Sequence, residues 1–141
     1  MAVRLSDQAV RMIAVFDTET DVGAIDCIID DEYDRVVFVV PTGSMGKAIG
    51  PAGRHVTRVE EKVGQSIELV EHAADPDTFI ANALSPAAVY NVTLSGDDET
   101  VAYVEVDQAD RGIAIGRDGR NISMARQLAR RHFDIDAIEL L

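Results

Sequence analysis

Eleven residues of this 141-residue chain recur 66 positions further on, and that repeat limits the fold more than any other feature. Gly46-Lys47-Ala48-Ile49-Gly50-Pro51-Ala52-Gly53-Arg54-His55-Val56 aligns with Gly112-Ile113-Ala114-Ile115-Gly116-Arg117-Asp118-Gly119-Arg120-Asn121-Ile122. Six of the eleven pairs are identical, and Val56/Ile122 is a conservative seventh. Self-similarity at a fixed offset is the mark of one supersecondary unit used twice. A half-chain of about 70 residues buries little surface alone, so two such halves gain by packing together.

The flanks repeat in the same order. Ser6 can cap a first helix whose apolar face is Val10, Ile13 and Ala14. Two strands follow, at residues 25–29 and 35–40, with the acidic stretch 30–34 turning between them. After the glycine motif a helix is predicted over 54–63, with Val56, Val59 and Val63 on one side. Gly64 stops it, and 66–70 reads as a strand. The second half predicts a helix over 76–84 ended by Ser85-Pro86, then strands at 89–94 and 100–106 joined by a turn at 95–98. Its glycine motif leads into a helix with Ile122, Ala125 and Ala129 inward, and a last strand spans 135–140. The expected fold is α+β, two tandem three-stranded sheets covered by helices, with domains 1–73 and 74–141. No Gly/Ser-rich linker separates them, so a rigid junction is expected.

Apolar residues make up 47% of the chain and there is no Trp, so the core must be Val, Ile, Leu and Ala. No apolar run approaches the roughly 18 residues of a membrane span. The N-terminus Met1-Ala2-Val3-Arg4-Leu5-Ser6 lacks the apolar stretch of a signal peptide. Cys27 is alone, which rules out an internal disulfide. The expected setting is cytoplasmic, away from membranes.

The net charge is −12, at first an argument against phosphate binding. The charge is unevenly spread, however. Residues 47–58 carry +3 and residues 111–131 carry +5, leaving −20 on the rest. Of 13 basic residues only Lys47 and Lys62 are lysines. That balance resembles proteins of salt-loving organisms, whose surfaces are acidic whatever they bind. A local positive site survives on such a body.

Gly50-Pro51-Ala52-Gly53 and Gly116-Arg117-Asp118-Gly119 are G-x-x-G loops between helical segments. Glycine at both ends allows a sharp bend without a side chain in the way. A phosphate backbone can lie against the N–H groups there, helped by the N-terminus of the following helix. Arg54 and Arg120 stand just beyond each loop and can add charge-assisted contacts. Ile49, Val56, Ile115 and Ile122 can form an aliphatic wall for bases. On the helix after the second loop, Arg120, Arg126, Arg130 and Arg131 spread over the side opposite Ile122, Ala125 and Ala129.

The pattern Ala-Ile-Gly-x-x-Gly-x-x-[Val/Ile], present twice, resembles the signature of the K-homology (KH) family, in its bacterial-type arrangement with an extra helix in front. Residues 75–87 resemble the connector between the KH domains of the NusA family, and residues 114–122 resemble the second KH loop of that family. The resemblance covers nearly the whole chain, in the archaeal form that holds two KH domains only. It implies single-stranded RNA clamped over about four nucleotides per domain, with RNA polymerase as a further partner in elongation, termination or antitermination.

The RNA-binding residues expected on this basis are Lys47, Ile49, Gly50, Pro51, Ala52, Gly53, Arg54 and Val56 in the first repeat. In the second they are Ile115, Gly116, Arg117, Asp118, Gly119, Arg120, Ile122, Arg126 and Arg130. The first loop lacks the basic residue usual in its variable pair, so the second repeat is expected to supply more affinity. No cofactor, metal or catalytic residue is expected, and the chain is expected to be a monomer. The alternative is a protein-interaction scaffold on RNA polymerase with weak RNA binding.

Other signals carry less. Gly43-Ser44-Met45-Gly46-Lys47-Ala48 lacks the hydroxyl that an NTPase phosphate loop puts after its lysine. His55, His72 and His132 lack metal-ligand spacing. Asp30, Asp31, Glu32 and Asp34 lack the spacing of a calcium loop. Cys27 reads as a buried thiol, and Tyr33, Tyr90 and Tyr103 form no stacking platform.

Overall fold

The computed structural model describes residues 3–141; Met1 and Ala2 of the N-terminal segment lie outside the described residues. The chain divides into two compact units, the first ending at His72 and the second covering Ala73–Leu141.

The first unit runs α1 (Asp7–Thr20), β1 (Asp26–Asp30), β2 (Arg35–Val40), α2 (Met45–Ile49), α3 (Arg54–Val63) and β3 (Ser66–Glu71). Its sheet has the order β1-β2-β3, with β1 antiparallel and β3 parallel to the central β2. The sequence Arg-Val-Val-Phe-Val-Val suits that centre, because β-branched side chains pack well on a pleated surface. Val36, Phe38 and Val40 meet Ala9 and Phe16 of α1, Ala48 of α2 and Val59 of α3 in one core. Phe16 stacks on Phe38 with ring centroids 4.4 Å apart.

Ser6 caps α1, its side-chain oxygen accepting from the Ala9 N–H at 3.1 Å. The inward face is not the one expected. Ala9, Met12, Ile13, Phe16 and Thr20 turn to the sheet, while Val10 is 51% exposed and Ala14 is also exposed. Phe16 offers the largest apolar surface on the helix, and seating it rotates the stripe away from Val10.

The second unit runs α4 (Pro76–Leu84), β4 (Val89–Ser95), β5 (Val101–Val106), α5 (Arg111–Ile115), α6 (Arg120–Phe133) and β6 (Ala137–Leu140). The sheet order is β4-β5-β6, again with the first strand antiparallel and the last parallel to the centre. Asp75 caps α4 through the Thr78 N–H, with Pro76 in the first turn. Ile80, Leu84, Ala114, Ile122, Ala125 and Ala129 cover Ala102, Val104, Val106 and Ile138. The last strand starts at Ala137 rather than residue 135, because α6 extends to Phe133 and Asp134 then turns through a left-handed φ of 55°. Two helix-covered three-stranded sheets are therefore present, as the repeat predicted. Among the described residues no helix is long and apolar enough to cross a membrane.

Candidate nucleic-acid interface

The two glycine loops have the same backbone. Gly50 sits at φ 76°, ψ 173° and Gly116 at φ 76°, ψ 168°. Ala52 and Asp118 both take the left-handed region, at φ 55° and 56°. Gly53 and Gly119 follow at φ 71° and 77° and lead directly into α3 and α6. Each turn is closed by the second glycine N–H donating to the first glycine carbonyl at 3.1 Å. In both loops two consecutive left-handed residues lead into a helix N-terminus, where backbone N–H groups can meet an anion. Pro51, Ala52, Arg117 and Asp118 are all exposed. The second loop has one donor more, since Arg117 has an N–H and Pro51 has none.

A pair that the sequence reading passed over locks both bends. His55 Nδ1 bonds to the Lys47 carbonyl at 2.7 Å, and Asn121 Nδ2 donates to the Ile113 carbonyl at 2.9 Å. Those carbonyls belong to α2 and α5, so each side chain ties the helix before the loop to the helix after it. His55 and Asn121 are 66 residues apart, like the motif itself. Their signal was a shared N–H donor on a short side chain, hidden by the different residue names.

The apolar wall is smaller than expected. Ile49 and Ile115 are 39% and 36% exposed, beside their loops. Val56 is half-buried against the first core. Ile122 is buried in the second core and is corrected from wall to interior: on the first turn of α6 its side chain packs over the sheet.

The cations divide by repeat. Lys47 pairs with Asp21 at 3.1 Å, which offsets the charge next to the first loop. Arg54 is exposed. In the second repeat Arg120, Arg126 and Arg130 each bond to a backbone carbonyl. Arg120 Nε donates to the Arg117 carbonyl at 3.1 Å across the loop. Arg126 donates through Nε and Nη2 to the Ile138 carbonyl at 3.2 and 3.0 Å, and Arg130 Nη2 to the Asp136 carbonyl at 2.9 Å. Of the arginines expected opposite the apolar side of this helix, Arg126 and Arg130 are held against β6 and the segment before it, as oriented cations.

Comparisons with known proteins agree with this architecture. A family model described as a KH domain matches residues 11–74, and one described as a NusA-like second KH domain matches residues 76–140. A protein described as "Probable transcription termination protein NusA" in Halobacterium salinarum is 59% identical over 99% of both chains. Its counterpart in Halococcus morrhuae is 56% identical over 99% of both. The one in Methanocaldococcus jannaschii is 32% identical over 99% of this chain and 75% of that one. Among solved structures, the crystal structure of APE1850 superposes with a TM-score of 0.87 at 29% identity, covering 97% of this chain and all of that one. The relatives from halophiles fit the acidic, lysine-poor composition. With both repeats matched and full-length relatives this similar, the chain belongs to the NusA-like family, in the form built from two KH domains.

Proposed function

We propose that the protein binds single-stranded nascent RNA through its two glycine loops and modulates elongation or termination by RNA polymerase, acting in the cytoplasm by binding and without chemistry of its own. The observation that carries this reading is the coincidence of the two loop backbones. Residues as different as Pro51-Ala52 and Arg117-Asp118 adopt one conformation. A shared bend that tolerates different side chains, including a left-handed alanine that costs about 1–2 kcal/mol, points to use of the backbone itself. Phosphates would lie on the amides, with bases beside Ile49 and Ile115.

The test is RNA binding by fluorescence anisotropy in molar KCl, with a Pro51→Asp/Ala52→Asp/Arg117→Asp variant beside the wild type. Carboxylates at the turn repel phosphate, so the variant should bind at least about tenfold more weakly, which is 1.4 kcal/mol. Equal affinity would mean that the loops are not the site.

A KCl titration of the wild type adds the mechanism. Each phosphate neutralised on a single strand contributes roughly −0.7 to the log–log slope. With few cations and mainly amide donors, the slope should lie between about −0.7 and −2. A slope steeper than about −4 would show a binder that relies on many side-chain cations.

A scaffold role on RNA polymerase is the second reading, favoured by the first loop, which has no cation of its own and whose neighbour Lys47 is paired with Asp21. It prevails if the wild type binds no RNA while polymerase still associates.

A further inference from the structure

Equivalent positions in the two repeats carry opposite charges and reach the same place on the third strand. Glu60 and Arg126 are 66 residues apart, on the second turn of α3 and of α6. Glu60 Oε2 accepts from the Ile67 N–H at 3.1 Å. Arg126 donates to the Ile138 carbonyl. Ile67 pairs with Val36 on β2, and Ile138 with Ala102 on β5. Val36 and Ala102 are again 66 apart, so Ile67 and Ile138 occupy the same rung. That rung lies on an edge strand, the outermost of its sheet, in both units.

Each side chain uses only part of its capacity on the strand. A carboxylate has a second oxygen, Oε1, and a guanidinium has a further nitrogen, Nη1, with two hydrogens. Beside the first loop the space between helix and edge strand therefore presents an acceptor. Beside the second it presents donors.

We infer that Glu60 and Arg126 set opposite base preferences in the two repeats, Glu60 favouring bases that offer an amino group and Arg126 favouring bases that offer carbonyl or ring-nitrogen acceptors. The inference rests on the RNA-binding reading and deepens it. Glutamate accepts from the exocyclic amine of cytosine, and arginine donates to acceptor edges such as those of guanine. By the same chemistry adenine joins cytosine at the first repeat, and uracil, with two carbonyls, suits the second. The RNA selected by the whole chain would then hold an amino-rich segment and a keto-rich segment, and swapping their order would weaken binding.

The experiment is an NMR titration of the full-length, ¹⁵N-labelled protein with the tetranucleotides rA4, rC4 and rU4. The amides of Gly53 and Gly119 report on each repeat separately. Glu60→Gln and Arg126→Gln are the variants, because glutamine keeps each strand contact while reversing what faces the RNA. The Gln oxygen still accepts from Ile67 and turns an amide N–H₂ outward; at 126 its N–H₂ still donates to Ile138 and turns the oxygen outward. In the wild type, Gly53 should respond to rC4 and rA4 at concentrations at least about fivefold lower than to rU4, and Gly119 in the reverse order. Glu60→Gln should remove the preference at Gly53 and leave Gly119 unchanged; Arg126→Gln should do the converse. One shared base order at both repeats, or orders that neither substitution alters, would overturn the inference while RNA binding stands. No response of either glycine to any tetranucleotide would overturn the RNA-binding reading together with it.

Discussion

Replacing Arg35 by alanine should remove about 3–5 kcal/mol of folding stability, a large part of the 5–15 kcal/mol typical of a whole domain. Arg35 opens the central strand β2 and is 3% exposed. Its Nε lies 2.7 Å from Asp30 Oδ2, and its Nη1 lies 2.9 Å from Glu68 Oε2. Asp30 is its cross-strand partner on β1, and Glu68 lies on β3. One guanidinium thus ties all three strands together at one end of the sheet, over the ring of Tyr33. Without it, two carboxylates face one another, and the Asp30 side chain, 15% exposed, has little access to water. The two halves of the clamp should respond differently to salt. Glu68 is 48% exposed on its side chain, so its pair is screened by the molar salt that suits an acidic protein. Asp30→Ala should cost more than about 1 kcal/mol in molar KCl, and Glu68→Ala well under that. Urea denaturation in 0.1 M and in 2 M KCl measures both. A loss below about 1 kcal/mol for Arg35→Ala would show that the clamp is dispensable.

The sequence announced the elements that carry strong punctuation. α3 starts where Gly53 ends the loop and stops at Gly64; α4 lies between capping Asp75 and Ser85-Pro86; β2 is a run of β-branched residues. Those signals are local, and they match the structure to the residue. What failed was decided by packing. The buried stripe of α1 was misplaced because Val10 and Phe16 compete for one sheet face, and periodicity alone does not say which wins. Ile122 has the same periodicity whether it faces a groove or the core; the close approach of α6 to Ala102 and Val104 decides it. α6 runs past the length of α3, so the strand after it does not keep the 66-residue offset. Only the strand register shows that Ile67 and Ile138 are equivalent. Glu60 and Arg126 keep the 66-residue offset, but that both reach the same rung shows only in that register. His55 and Asn121 were missed because their residue types differ, although both supply an N–H to the carbonyl six residues before the second glycine, Lys47 before Gly53 and Ile113 before Gly119. Charge followed the same logic: the arginines stand out in the sequence by their number, but that Arg120, Arg126 and Arg130 bond to carbonyls is a matter of three-dimensional placement.

Gly116→Ala should weaken RNA binding by the second repeat at least about tenfold, and Gly119→Ala far less, although both are glycines of one motif. Gly116 combines φ 76° with ψ 168°, a region open essentially to glycine alone, where another residue is strained by about 1–3 kcal/mol. A Cβ there would also stand 2.7 Å from Asn121 Cγ and 2.8 Å from its Nδ2. Asn121 would have to move, breaking its bond to the Ile113 carbonyl, worth about 1 kcal/mol, and freeing α5 from α6. Gly119 has a left-handed φ of 77° and ψ of 13°, but a Cβ there meets nothing within 4 Å. Its cost is the left-handed penalty alone, of the kind Ala52 and Asp118 already bear. The first repeat should behave alike, since a Cβ on Gly50 would overlap the His55 ring while one on Gly53 meets open space. Adding Asn121→Ala to Gly116→Ala separates the two causes. The clash disappears but the backbone strain stays, so affinity should recover only in part. Anisotropy with labelled RNA and thermal melting of the same four proteins give the comparison. Wild-type affinity in Gly116→Ala, or a larger defect in Gly119→Ala, would mean that the bend is not held by the contact between its first glycine and the residue at 121.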